Sequence, residues 1–171
     1  AALLDGGLQA WDGPLTAEVP KRPHGEFSVR SWPDSALADI EEIAAGEFVI
    51  DARGPERFRG EAEHLDPRAG HIPGARNYPM TGNLTDGCRF KTPGELRERF
   101  AAVDDAAAVI STCGSGITAC HNLIAMEYAG LGRGRLFPGS WSQYAATERP
   151  VATGPEPGSR PAMDPTGVIL A

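Results

Sequence analysis

Ser111-Thr112-Cys113-Gly114-Ser115-Gly116-Ile117-Thr118-Ala119 is the stretch on which the fold turns. The apolar run before it, Ala106 to Ile110, reads as a strand buried on both faces, and the residues from about Thr118 to Tyr128 read as a helix. Between them lies a cysteine in a glycine-spaced loop. Gly114 and Gly116 let the backbone curl with its N–H groups inward, and the following helix adds the positive end of its dipole. Strand, loop and helix start together make an anion cradle around Cys113. Such a cradle favours a thiolate or a persulfide, because the nucleophilic form of cysteine is charged and needs fixed donors in place of water. The Ser115 hydroxyl can donate to a substrate sulfur or carbonyl, and Thr118 can do the same or cap the helix. The competing reading, a structural cysteine buried after a strand, leaves the two glycines and the helix start unexplained.

Composition bounds what such a cradle can belong to. With 171 residues, 41% hydrophobic and 23% charged, the chain has room for one well-cored domain plus extensions, and two full domains would be tight. A formal net charge of −7, with Lys21 and Lys91 the only lysines, argues against nucleic acid or an anionic membrane as partner. No run of eighteen apolar residues and no signal-peptide pattern occurs, so a cytoplasmic protein is expected. Cys88, Cys113 and Cys120 form an odd, sparse set that suits a reducing compartment and a catalytic thiol better than a disulfide framework. Without a C-x-x-C or a histidine pair at ligand spacing, neither a metal nor any other cofactor is expected.

Along the chain, residues 1–12 open as a short apolar strand, turn at Gly6-Gly7 and place Leu8 and Trp11 at helical spacing. The same order of strand, glycine turn and Trp-bearing helix returns at Leu136-Phe137-Pro138-Gly139-Ser140-Trp141, a weak internal repeat. Residues 13–25, with Pro14, Pro20 and Pro23, read as a linker, and 26–153 as the main domain. In that domain Phe27–Val29 is an expected edge strand, Asp34 to Ala45 an expected helix stopped by Gly46, and Phe48 to Asp51 a strand. Thr92-Pro93-Gly94-Glu95 is a capping box, followed by an apolar stripe of Leu96, Phe100 and Val103. Residues 154–171 are expected to be a loosely attached tail, proline-rich until Val168-Ile169-Leu170.

The loop Cys113-Gly-Ser-Gly-Ile-Thr-Ala resembles the active-site loop of rhodanese-fold sulfurtransferases, in the form typical of 3-mercaptopyruvate sulfurtransferases. Asp51-Ala52-Arg53, Gly70-His71-Ile72-Pro73-Gly74-Ala75 with Asn77, and Pro138-Gly139-Ser140-Trp141 follow the family's order, so the resemblance covers about Phe27 to Gly154. It implies an α/β fold with a five-stranded parallel sheet flanked by helices, and the cysteine loop at a strand's carboxyl end. It also implies that residues 1–12 are the end of a preceding rhodanese-like domain, as in tandem members of the family. By the same resemblance, Cys113 and Ser115 are catalytic, Gly114, Gly116, Ile117 and Thr118 hold substrate through the loop, and Arg57 clamps a donor carboxylate. The second family arginine falls where the spacing differs, and Arg68 is taken for it. For Arg53 and Arg59 a structural salt bridge or a solvated face fits at least as well as a site role, His71 is expected to be structural, and His121 to be carried away from the cradle by the helix.

The implied activity moves a sulfane sulfur from 3-mercaptopyruvate through a Cys113 persulfide to cyanide, a small thiol or a thioredoxin-type dithiol. The family's serine relay also draws an Asp and a His from the preceding domain, which is nearly absent from this chain. The alternatives are a thiosulfate:cyanide sulfurtransferase and a binding module without catalysis. Phosphatase chemistry on a related fold needs an arginine six residues after the cysteine, and Ala119 stands there.

Overall fold

Four short strands run parallel at the centre of the molecule: β1 (Phe48–Asp51), β2 (Ala75–Asn77), β3 (Val109–Thr112) and β4 (Arg135–Leu136), in the spatial order β2-β1-β3-β4. The computed structural model describes residues 2–45 and 48–160. Register sorts the apolar residues between two layers. Val49 pairs with Ile110 and both enter one core, with Ile43, Phe58, Ile72, Phe137, Trp141 and Tyr144; Ile50 and Val109 face the other, with Leu96, Phe100, Ala125 and Met126. Side chains alternate along a strand, so β1 and β3, with consecutive buried apolar residues, must be covered on both faces.

The covers are α1 (Ile40–Ala45), α2 (Pro55–Arg59), α3 (Pro93–Arg99), α4 (Ile117–Tyr128) and α5 (Ser140–Ala145). The capping box at Thr92 and Glu95 forms as predicted, and Leu96 and Phe100 are fully buried beneath α3. Two other predicted elements move. Ala106–Ala108 is a 3-10 turn because the Asp105 carboxylate accepts the Ala107 amide, and the strand begins only at Val109. The Asp34–Ala45 helix divides: Asp34–Ala36 is a 3-10 turn, Leu37 bridges to Leu136, and Asp39 caps α1 by accepting the Glu41 and Glu42 amides. Gly46, the expected stop, lies outside the described residues.

The sheet of the described residues has four strands, not five. Phe27 and Val29, the expected edge strand, are 88% and 86% exposed and carry no regular structure. The outer edge beyond β4 is instead the single Leu37–Leu136 bridge, with the Ala38 amide donating to Leu136 O at 2.8 Å. Asp39 starts α1 one residue later, which leaves no room for a longer strand.

At the amino-terminal end, residues 7–10 form a 3-10 turn in place of a longer helix, and Leu3, Leu4, Leu8 and Trp11 are exposed. The arm touches the body where the Phe90 amide donates to Asp5 Oδ1 at 2.8 Å. At the other end, residues 151–157 are fastened rather than loose. Ala152 and His71 exchange both backbone hydrogen bonds, the Gly154 amide donates to Arg59 O, and the Gly74 amide donates to Pro157 O. The expected apolar end at Val168-Ile169-Leu170 lies outside the described residues.

Candidate active site

β1 connects to β2 on one side and the chain then crosses to β3 on the other, so the sheet reverses its winding between β1 and β3. Crevices open at such a point, beyond the carboxyl ends of the strands. A cleft of about 420 Å³ lies there, floored by Ala52 and Cys113 and bounded by Arg53, Arg57, Met80 and the loop from Gly114 to Thr118.

Cys113 follows β3 directly and is 1% exposed. Its peptide is clamped from α5: its N–H donates to Ser140 Oγ at 3.1 Å, and its carbonyl accepts the Trp141 amide at 2.9 Å. The Gly114 carbonyl accepts the Ser142 amide at 2.9 Å. With those carbonyls held by α5, the loop turns its other side to the cleft. Among the described residues, no amide from Gly114 to Thr118 donates a hydrogen bond to another protein group. Gly116 is required by geometry: its φ is 84°, and a Cβ there would lie 2.7 Å from Pro138 O. The helix α4 starts at Ile117 with Gly116 as its N-cap and no side-chain cap, so Thr118 caps nothing and faces the cleft. Ser115 is exposed at the cleft and its hydroxyl is free of hydrogen bonds among the described residues.

The opposite wall holds the arginines. Arg57 lines the cleft, with Nη1 placed 3.2 Å from where a Gly114 Cβ would be. Its other edge is committed: Nε and Nη2 donate to Glu63, at 2.8 Å for the closest contact, and Nη2 donates to Asp66 at 3.1 Å. Burial pushes the Glu63 carboxyl up, but the Leu65 amide, the Arg57 guanidinium and the Asp66 amide outweigh it and hold the group below the ordinary glutamate value. Arg53 also reaches the cleft wall. It is buried over the Trp141 ring, paired with Asp51 at 2.7 Å, and its Nη1 has no hydrogen-bond partner among the described residues.

Arg68 is not a wall residue. Its guanidinium donates to the carbonyls of Tyr144, Ala145 and Arg149, closing the carboxyl end of α5, and so it is used in the fold. The expectation from spacing made Arg68 the second arginine of the site; among the described residues it lies against α5 and does not line the cleft. Arg59 pairs with Glu61 at the surface. His71 is buried and stacked on Phe58, with its ring nitrogens against the carbonyls of Phe58 and Pro157. His121 packs on Phe90 beside Asn83, away from the cleft, and burial pushes its pKa down. Cys120 is half-buried, and burial followed by the charge of Cys113 pushes its thiol up. No group of three or more His, Cys, Asp or Glu side chains among the described residues is arranged to hold a metal ion.

Comparison with known proteins agrees with this geometry. The model of the rhodanese-like domain matches residues 33–147, which include the cysteine loop and both arginines of the wall. The chain is 45% identical over 166 residues to a Pseudomonas aeruginosa protein named probable 3-mercaptopyruvate sulfurtransferase, covering 89% of this chain and 57% of that protein. It is 36% identical to human 3-mercaptopyruvate sulfurtransferase, covering 87% of this chain and 54% of the relative. Among solved structures, 3-mercaptopyruvate sulfurtransferase from Leishmania major superposes with a TM-score of 0.65 at 32% identity, over 79% of this chain and 39% of that one. The chain thus spans little more than half the length of the curated relatives it matches. The parallel sheet, the cysteine loop at its switch point and the match over residues 33–147 together make this chain a member of the rhodanese-like domain family.

Proposed function

We propose that this chain carries the transferring domain of a sulfurtransferase, with 3-mercaptopyruvate as donor. One observation carries the reading: a single buried cysteine stands at the floor of a cleft whose facing loop has five unengaged amides. In the first half-reaction the Cys113 thiolate attacks the donor sulfur. The S–C bond breaks with its electron pair going to carbon, the carbon takes the proton of the donor thiol, and pyruvate leaves a Cys113 persulfide. In the second, cyanide or a thiolate attacks the outer sulfur and the Cys113 thiolate departs. The amides of Gly114 to Thr118 stabilise the negative sulfur in both states, and Ser115 carries the proton. Arg57 Nη1 holds the donor carboxylate, and a thioredoxin-type dithiol is a suitable acceptor.

Thiosulfate is the weaker donor in this reading. The loop places Gly114 and Ser115, both neutral, next to the nucleophile, and one missing charge-assisted contact is worth roughly 1.5–3 kcal/mol, or about one to two orders of magnitude in kcat/KM. Incubation with 3-mercaptopyruvate followed by intact mass measurement tests the reading. A species one sulfur heavier, absent from Cys113→Ser, is expected; an unchanged mass in the unaltered protein would favour a binding module without catalysis.

A further inference from the structure

Arg57 does not meet the cleft as a free cation. Glu63 and Asp66 take its Nε and Nη2, and Nη1 is the guanidinium nitrogen nearest Gly114. Glu63 is in turn held in place, since its Oε1 accepts the amides of His64, Leu65 and Asp66 at 3.1, 3.0 and 3.3 Å. Its Oε2 lies 3.7 Å from Arg53 Nη1, so one carboxylate serves both guanidinium groups. The side chains of Glu63 and Asp66 are 4% and 6% exposed, and their charges are poorly screened by solvent. Counting Asp51, two guanidinium groups on this wall face three carboxylates. Among these five side chains the formal charge sums to one negative, so the wall carries no excess of positive charge.

We propose that Glu63 and Asp66 are positioning and specificity-determining residues of the Cys113 cleft, which by neutralising Arg57 admit a donor bearing a single carboxylate and disfavour a dianion such as thiosulfate. The inference rests on the sulfur-transfer reading above and adds what selects the donor. A single carboxylate is satisfied by Arg57 Nη1 while the transferred sulfur lies against the neutral loop. A dianion brings a second charge that finds no uncompensated cation on the wall. Fixing Arg57 by its outer edge also points Nη1 into the cleft at one angle, which a free arginine would sample among many.

The test compares the unaltered protein with Glu63→Gln and Asp66→Asn, using cyanide as acceptor and 3-mercaptopyruvate or thiosulfate as donor. Glutamine is isosteric and its Oε1 still accepts the three amides, so the loop keeps its shape while the charge is lost. In Glu63→Gln, kcat/KM for thiosulfate rises about tenfold relative to 3-mercaptopyruvate, chiefly through KM, and the gain shrinks in high salt. Asp66→Asn moves the same way to a smaller extent, and it serves alone if Glu63→Gln does not fold. An unchanged donor ratio in folded, active variants overturns the inference and leaves sulfur transfer standing. Should no form turn over either donor, sulfate and pyruvate are used as unreactive probes and their protection of Cys113 against iodoacetamide is measured. A tenfold fall in the sulfate concentration that protects Glu63→Gln, with pyruvate little changed, upholds the inference although sulfur transfer fails; equal shifts for the two anions overturn it.

Discussion

Ser140 is held at φ 50°, a left-handed conformation that serine seldom adopts, and the reason lies in its hydroxyl. Oγ accepts the Cys113 amide and donates to Phe137 O at 2.9 Å, so one fully buried side chain ties the nucleophile to the start of α5. Ser140→Ala removes the acceptor and leaves the Cys113 amide buried without a partner, at about 1–3 kcal/mol, while the strained backbone remains. Ser140→Gly relieves the backbone but also loses the hydroxyl, so it is expected to be the more stable of the two by roughly 1 kcal/mol. Both are expected to slow persulfide formation more than they alter donor KM, because a loosened Cys113 affects the reacting atom and not Arg57. Thermal midpoints and the rate of sulfur uptake by mass check this; equal stability of the two variants would show that φ carries no strain. At this scale the sequence was partly legible. Cys113, Ser115 and Arg57 stand out because motif and chemistry coincide, whereas Ser140, Glu63 and Asp66 do not. Their roles come from partners 27 residues away for Ser140 and six and nine residues away for the two acids. A serine after a glycine and an acid in a polar connection announce nothing by themselves.

At the scale of elements, the unit that works is the turn from β3 into α4 together with the start of α5. Gly116 has its left-handed φ because Pro138 O occupies the space a side chain would need. Gly116→Ala is therefore expected to lose ~1–2 kcal/mol from the backbone alone and more from the contact, and to shift the loop amides off the cleft. Urea unfolding gives the first quantity, and sulfur uptake should fall further than stability would dictate; a variant with unaltered uptake would mean that the amides are not what holds the persulfide. The glycine spacing makes this unit readable in sequence, including the start of α4 to within one residue. The error on Ala106–Ala108 has an equally local cause. Three alanines are apolar enough to suggest a strand, yet their small side chains do not oppose the turn that Asp105 caps. The position of Arg68 is hidden for a different reason: a connection of changed length does not reveal which arginine points inward, and the contacts with Tyr144, Ala145 and Trp141, whose Nε1 donates to Arg68 O, place this segment against α5.

On the scale of the molecule the two ends behave differently. The arm before residue 33 exposes Leu3, Leu4, Leu8 and Trp11, and none of its described residues belongs to either core. Removing residues 1–20 is expected to shift the thermal midpoint by no more than a degree or two, since few contacts are lost. Cutting after residue 150 is expected to lower it severalfold more, because the buried His71 and the Gly60–Gly74 segment lose their backbone partners. Comparing the two truncations by calorimetry decides the matter, and equal effects would mean that the strap at 151–157 is ornamental.

That strap also orders the assembly of the protein in time. All four strands of the described residues have been made once Leu136 leaves the ribosome, and α5, which clamps the cysteine loop, follows at once. The connection that carries Arg53, Arg57, Glu63 and Asp66 is first held at Arg68 by α5, and it receives its remaining backbone bonds when Ala152, Gly154 and Pro157 arrive to bond His71, Arg59 and Gly74. At about 5–20 residues per second the delay is a second or more. During that interval a nascent chain has Cys113 in place while the connection that forms the far wall of the cleft still lacks its last fastening.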